Sequence, residues 1–189
     1  MKKWLLLIII ALVLFSICSC SDVYAETYIS DVSAYDTIWD LPESRAFEKS
    51  ELFPMSINEM QVIHFSCYHQ TYQLVGTGWQ VELIIKYDSD SFSAEHERLK
   101  NLCEESVVCG DNEYFDYPAY ATVWNWTQCF EYAVVNEQNS TISYIYLQLI
   151  NKEDIAITSD NIPRNYEMDM PEAGMYSLYE GVKYECVNP

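Results

Sequence analysis

Three features of the chain predict an α+β fold, an antiparallel sheet of about five strands in the order β-β-α-β-β-β with one helix packed on a face. Two period-two runs precede residue 88, a capped run with helical spacing follows it, and three runs rich in β-branched and aromatic residues lie between 120 and 150. Strands, one helix, then more strands is the order of an α+β domain, whereas an α/β sheet would alternate the two.

In the first run Ile63, Phe65 and Cys67 alternate with other residues, and in the second Trp79, Val81, Leu83, Ile85 and Tyr87 alternate with Gln80, Glu82, Ile84 and Lys86. Successive strand residues point to opposite faces, so each run reads as a strand with one buried face. Gly76 and Gly78 between them suit a hairpin connection. Asp88, Ser89, Asp90 and Ser91 offer helix caps, and Phe92, Leu99, Leu102 and Cys103 follow at helical spacing with Glu95 and Glu97 early in the helix. Val107 and Val108 prefer strands and Gly110 suits a cap or turn, which predicts a helix end between Cys103 and Gly110. Further strands are predicted over 120–127, 129–136 and 141–150, the last with Ile145, Leu147 and Leu149 on one face and Tyr144, Tyr146 and Gln148 on the other. The polar stretch 137–140 reads as the turn between the last two. Residues past Asn151, with Pro163 and Pro171, are expected to be irregular and to wrap the sheet edge.

The segment 26–58 shows scattered anchors (Tyr28, Ile29, Tyr35, Ile38, Trp39, Phe47, Leu52, Phe53) without a clean period. It reads as a lead segment packed on the domain, with a short helix over 43–51 stopped by Pro54.

Ahead of it, Lys2 and Lys3 precede an uncharged stretch from Trp4 to Ser21 whose apolar core, Trp4 to Phe15, is short for a spanning helix. That is the layout of an export signal. Ile17, Cys18, Ser19 and Cys20 form a lipobox: an aliphatic residue three before the thiol, a small residue just before it, and Cys20 to be acylated. Val23, Tyr24 and Ala25 make a competing small-x-small site that would release a secreted protein beginning at Glu26, but it lies ten residues past Phe15. The lipobox is favoured, giving a signal peptide over 1–19, a lipidated Cys20 with the lead segment over 20–60, and one α+β domain over 61–189. The expected location is the outer face of a bacterial cell membrane.

The lipobox, the run from Gly78 to Leu99, and the stretch from Tyr117, Pro118, Ala119 and Tyr120 through Tyr144, Ile145, Tyr146 and Leu147 together resemble small lipoproteins of gut Firmicutes. The resemblance implies a membrane anchor and supplies no activity to carry over.

Loss of the signal removes Lys2 and Lys3 and takes the formal charge from −19 to −21. Nucleic acid is a poor partner for such a surface, and anionic headgroups repel it, so attachment to the membrane would rest on the acyl chains. A basic protein or peptide fits the sign better. Besides Cys18 and Cys20, the chain holds Cys67, Cys103, Cys109, Cys129 and Cys186, an odd number that cannot all pair internally. Their spacing suggests no zinc site, and free buried thiols stand beside disulfides as alternatives.

Asp111, Asn112, Glu113 and Asp116 could offer oxygen ligands to Ca²⁺, though without EF-hand spacing, and a solvated acidic loop is the favoured reading of them. Trp124 and Trp126 alternate with Thr122 in line, so in a strand they share a face that could stack on a ligand or fill a core. His96 lies in the charged run 95–98 and is expected at the surface, while His64 and His69 are expected as surface or satisfied histidines near the first strand. With no Gly-x-Ser-x-Gly and no phosphate-cradling loop, neither catalysis nor a cofactor is expected. The reading is a non-catalytic binding or interaction module; the alternatives are a small-molecule or Ca²⁺-binding surface protein and a cell-envelope hydrolase.

Overall fold

The computed structural model describes residues 23–40, 52–72, 76–106, 109–110, 115–124, 129–148, 150 and 154–162. The two period-two runs form a long antiparallel hairpin, β2 (Gln61–Tyr72) and β3 (Gly76–Lys86), in register from Gln61 opposite Lys86 to Tyr72 opposite Gly76. Gly76 and Gly78 thus belong to β3 itself. The ladder shifts between Val62 and His64, a bulge that leaves Ile63 56% exposed.

The remaining strands are β1 (Val23–Ile29), β4 (Cys109–Gly110), β5 (Ala119–Trp124), β6 (Cys129–Asn136) and β7 (Thr141–Gln148). Every pairing is antiparallel and the sheet order is β1-β2-β3-β7-β6-β5-β4. Six strands of full length and a two-residue stub therefore stand where about five were expected. The additional strand is β1, from the segment read as aperiodic. Residues 25–28 of this edge strand alternate between the two faces and are all exposed, so neither face of it demands apolar side chains there. No hydrophobic alternation marks such a strand.

The single helix among the described residues, α1 (Ser89–Ser106), starts where the sequence places it. Asp88 Oδ1 accepts from the backbone N–H groups of Asp90 and Ser91, each at 3.0 Å, and Asp88 Oδ2 accepts from Ser91 Oγ at 2.8 Å. Two otherwise orphaned donors of the first turn are satisfied in this way. Leu99 is fully buried and Phe92 and Leu102 partly so, forming the stripe that lies on the sheet.

Beneath the helix, Phe65, Cys67, Trp79, Val81, Leu83, Ile85, Ala133, Val135, Ile142, Tyr144 and Tyr146 make one core. The lead segment completes it with Tyr35, Ile38, Leu52, Phe53 and Ile57. Edge-to-face contacts link Tyr35 to Trp39 and Phe65, and Trp39 to Phe53, at centroid separations of 5.2–6.0 Å. Full burial of an aliphatic or aromatic side chain is worth about 1.5–3 kcal/mol, so this segment is an integral layer of the domain. The notional helix over 43–51 lies outside the described residues.

The opposite face of β3 departs from expectation. Gln80 and Glu82, read as facing water, are each 1% exposed. The segment 154–162 covers them, lying across the face and not along the sheet edge expected for it. Gln80 Nε2 donates to the Asp154 carbonyl (3.0 Å), and Gln80 Oε1 accepts from the Ala156 N–H (2.7 Å). The Glu82 carboxylate accepts from the Thr158 N–H (3.2 and 3.1 Å), from Thr158 Oγ1 (3.2 Å) and from Asn161 Nδ2 (2.8 Å). An irregular segment has no ladder for its backbone, and buried polar groups must be paired, so two polar side chains on a strand serve as that ladder. A second apolar cluster, Phe115, Ala119, Tyr132, Val134, Ile145, Leu147 and Ile157, seals the same face.

Candidate functional site

Acid–base chemistry near neutral pH falls first to histidine, and the fold gives each of the three a distinct setting. His96, expected at the surface, is instead largely covered between α1 and β5, its side chain 12% exposed. Its Nε2 lies 2.7 Å from Tyr120 Oη and its Nδ1 3.8 Å from Glu137 Oε1. Burial pushes the imidazole below its usual value; Lys100 acts in the same sense, and Glu137 and Glu97 oppose it. The charged run around it concealed this, because a helix places residues 92, 96 and 99 on one face whatever their neighbours carry. A carboxylate, an imidazole and a hydroxyl in that order have the form of a relay. The geometry falls short of one: 3.8 Å is too long for a hydrogen bond, Glu137 is 67% exposed, and Tyr120 is buried. The neutral imidazole latches the helix to β5.

His64, on β2, has Nε2 at 3.3 Å from both Ser66 Oγ and Glu82 Oε2. A Ser-His-carboxylate triad needs its two partners on opposite ring nitrogens, so that one nitrogen orients the ring while the other takes the proton. Here a single nitrogen faces both. Ser66 and Glu82 are also buried, and Glu82 is engaged by residues 158 and 161. His69 stacks on Trp79 across the β2–β3 pair, with centroids 4.6 Å apart and planes 24° apart, and is 8% exposed. It is a core residue.

The most connected polar cluster lies under the helix. Tyr87 and Tyr144 hydroxyls are 2.6 Å apart, Tyr144 donates to Glu95 Oε1 (2.6 Å), and Arg98 donates to both Glu95 oxygens (2.8 and 2.6 Å). Arg98 Nη2 also donates to the Leu52 carbonyl at 2.7 Å. Desolvation is the first cause that raises both phenols above the ordinary tyrosine value, so they remain hydroxyls and act as donors. The chain ties β3, β7, α1 and the lead segment together. Along one flank of the helix Ala94, Glu97, Arg98, Asn101 and Leu102 line an open groove of about 470 Å³ whose guanidinium is already held by Glu95.

Of the residues singled out in the sequence as a ligand face or a Ca²⁺ loop, Trp124 and Asp116 fall among the described ones. Trp124 is the last residue of β5, opposite Cys129, and Thr122 lies opposite Glu131. Cys20, Trp126, Asp111, Asn112 and Glu113 lie outside the described residues; Asp116 is exposed, three residues before β5. Among the described residues no group of three His, Cys, Asp or Glu side chains could hold a metal ion. Cys67 is a free thiol, buried between β2 and its neighbours, and desolvation pushes it up to about 12. The roles of Gln80, Glu82 and His96 were missed because each depends on a partner far along the chain. Comparison with family models, with curated proteins and with solved structures finds no match to this chain.

Proposed function

We propose that this chain is a lipoprotein, anchored through Cys20 to the outer face of a bacterial membrane, whose domain is a non-catalytic binding module for a basic protein or peptide. The observation that carries the anchor is the start of β1. Its pairing begins at Val23 opposite Tyr72 and Ala25 opposite Thr71. Cleavage after Ala25 would remove three of the seven residues of this strand, whereas cleavage before Cys20 keeps all of it. The binding reading is supported by the internal use of the polar clusters: the His64, Glu82, Glu95 and Tyr144 groups are bonded to parts of the domain itself. A strongly acidic surface favours a cationic partner by sign.

Metabolic labelling with a fatty-acid analogue tests the anchor. The wild type takes up label and Cys20→Ala does not. A mature N-terminus at Glu26 overturns the anchor, and turnover of a wall fragment, ester or peptide by the purified domain overturns the non-catalytic reading.

A further inference from the structure

We infer that the free edge of β1 is where the basic partner docks, adding an extended segment of its own as a further strand of the sheet. The inference rests on the basic-partner reading above and gives it a site. β1 closes one end of the strand order and, among the described residues, β2 is its one neighbour. In a strand paired on one side only, alternate residues turn N–H and C=O groups outward and can template another strand. After the register shift between Val23 and Ala25, residues 25–29 run in unbroken register with β2. All 7 residues of β1 span about 23 Å at strand rise. β4, at the other end of the order, has 2 residues, too few to align a partner.

An edge of this length is ordinarily guarded by lysine, by proline or by a covering segment. β1 and β2 contain no Lys, Arg or Pro, and β3 contains one such residue, its last, Lys86, whose ammonium donates to the Asn139 carbonyl. Ala25, Glu26, Thr27 and Tyr28 are all exposed, so their side chains leave both faces of the strand open to a neighbour. Glu26 makes the edge selective. A second copy is a poor occupant, because two β1 strands paired antiparallel over their full length set Glu26 opposite Glu26, and like charges directly opposite destabilise a sheet. Each copy also brings a formal charge of −19.

A basic segment reverses the sign of that contact. By register Glu26 and Tyr28 lie on the face covered by residues 154–162, together with Tyr68, Gln80 and Glu82. The Tyr68 hydroxyl accepts from Gln70 at 2.6 Å. Desolvation first, and the charges of Glu26 and Asp154 after it, raise this phenol above its ordinary value, so two carboxylates act where β1 ends the sheet. A Lys or Arg placed opposite Glu26 comes within cross-strand reach of its carboxylate, about 5 Å between Cβ atoms. The side chain two positions along meets the ring of Tyr28, which is 58% exposed and can take a cation or its aliphatic stem. In strand addition main-chain hydrogen bonds supply the affinity and alternate side chains the specificity, and here those side chains are a carboxylate and a phenol ring.

The test uses the full-length protein in a nonionic detergent and a short synthetic peptide that alternates lysine with threonine or valine. A second peptide of the same sequence is N-methylated at every backbone nitrogen, which keeps the charge and removes every main-chain donor. The first peptide is expected to slow amide exchange at residues 25–29 several-fold, and the methylated one to leave it unchanged. Glu26→Gln should weaken binding of the first peptide by up to about fivefold, and Glu26→Lys by more. Outward amides of residues 25–29 that exchange slowly in the free monomer, or that become slow as the protein dimerises, overturn the inference, since the edge is then covered by the chain itself or by a second copy. Equal, salt-sensitive binding of both peptides with exchange in β1 unchanged refutes the edge and leaves the basic-partner reading standing. Failure of both peptides to bind also refutes the edge, and the basic-partner reading falls with it if a salt gradient elutes no basic envelope protein from the immobilised protein.

Discussion

Replacing Glu82 by Leu tests whether the second face of the sheet is roofed by residues 154–162. If that face met water, as the alternation in β3 suggested, the change would be nearly neutral, since surface substitutions stay within about 0.5 kcal/mol. The carboxylate instead accepts four hydrogen bonds from Thr158 and Asn161 at 2.8–3.2 Å and is 1% exposed. A buried donor left without its acceptor costs about 1–3 kcal/mol. Asn161 is 7% exposed, so its amide bears that cost in full, whereas Thr158 is exposed and its groups can turn to water. The added methyl groups of Leu return part of the loss, which gives a net destabilisation of about 1–2 kcal/mol by the same scale. Urea unfolding reads the magnitude. Hydrogen exchange reads the place, with faster exchange expected at Ala156 and Thr158 and little change at Leu83 or Tyr144. Glu82→Gln, which keeps one carbonyl oxygen, falls between the two. A Leu variant as stable as the wild type, with protection at residues 156 and 158 unchanged, would refute the roofed face.

Ile85→Ala and Ile84→Ala should differ, because Ile85 is fully buried in the core under the helix and Ile84 is half-buried on the other face. The first is expected to cost about 2–5 kcal/mol and the second distinctly less, measured as shifts of the urea midpoint at constant slope; equal costs would mean that the register is wrong. Asp88 has its carboxyl held below the usual range, chiefly by the Ser91 backbone and side-chain hydrogen bonds. A depressed folded-state value means that the cap stabilises fully above the unfolded pKa and is lost as pH falls through the folded one. Asp88→Asn should accordingly flatten the acid limb of the stability curve, and an unchanged limb would exclude this cap as a contributor.

How much was legible in the sequence depended on whether an element's signal was local. The β2–β3 hairpin, the helix and the β6–β7 hairpin announce themselves through period-two runs, the cap at Asp88 and the turn at 137–140, all within a few residues of the structure they make. β1 was illegible because an edge strand outside the main core carries no alternation. Gln80 and Glu82 were misread for a related reason. Polar residues at period two signal one bare face only if nothing later in the chain returns to cover it, and the covering residues lie 74 to 79 positions downstream. His96 shows the converse, since its charged neighbours describe the outer side of the helix and say nothing of the side facing Tyr120.

Under the proposed anchor, attachment rests on the acyl chains, since a chain with a formal charge of −19 and an anionic leaflet repel one another within a screening length. A basic partner would be drawn by the same charge, and its long-range attraction would raise the association rate more than the lifetime of the complex.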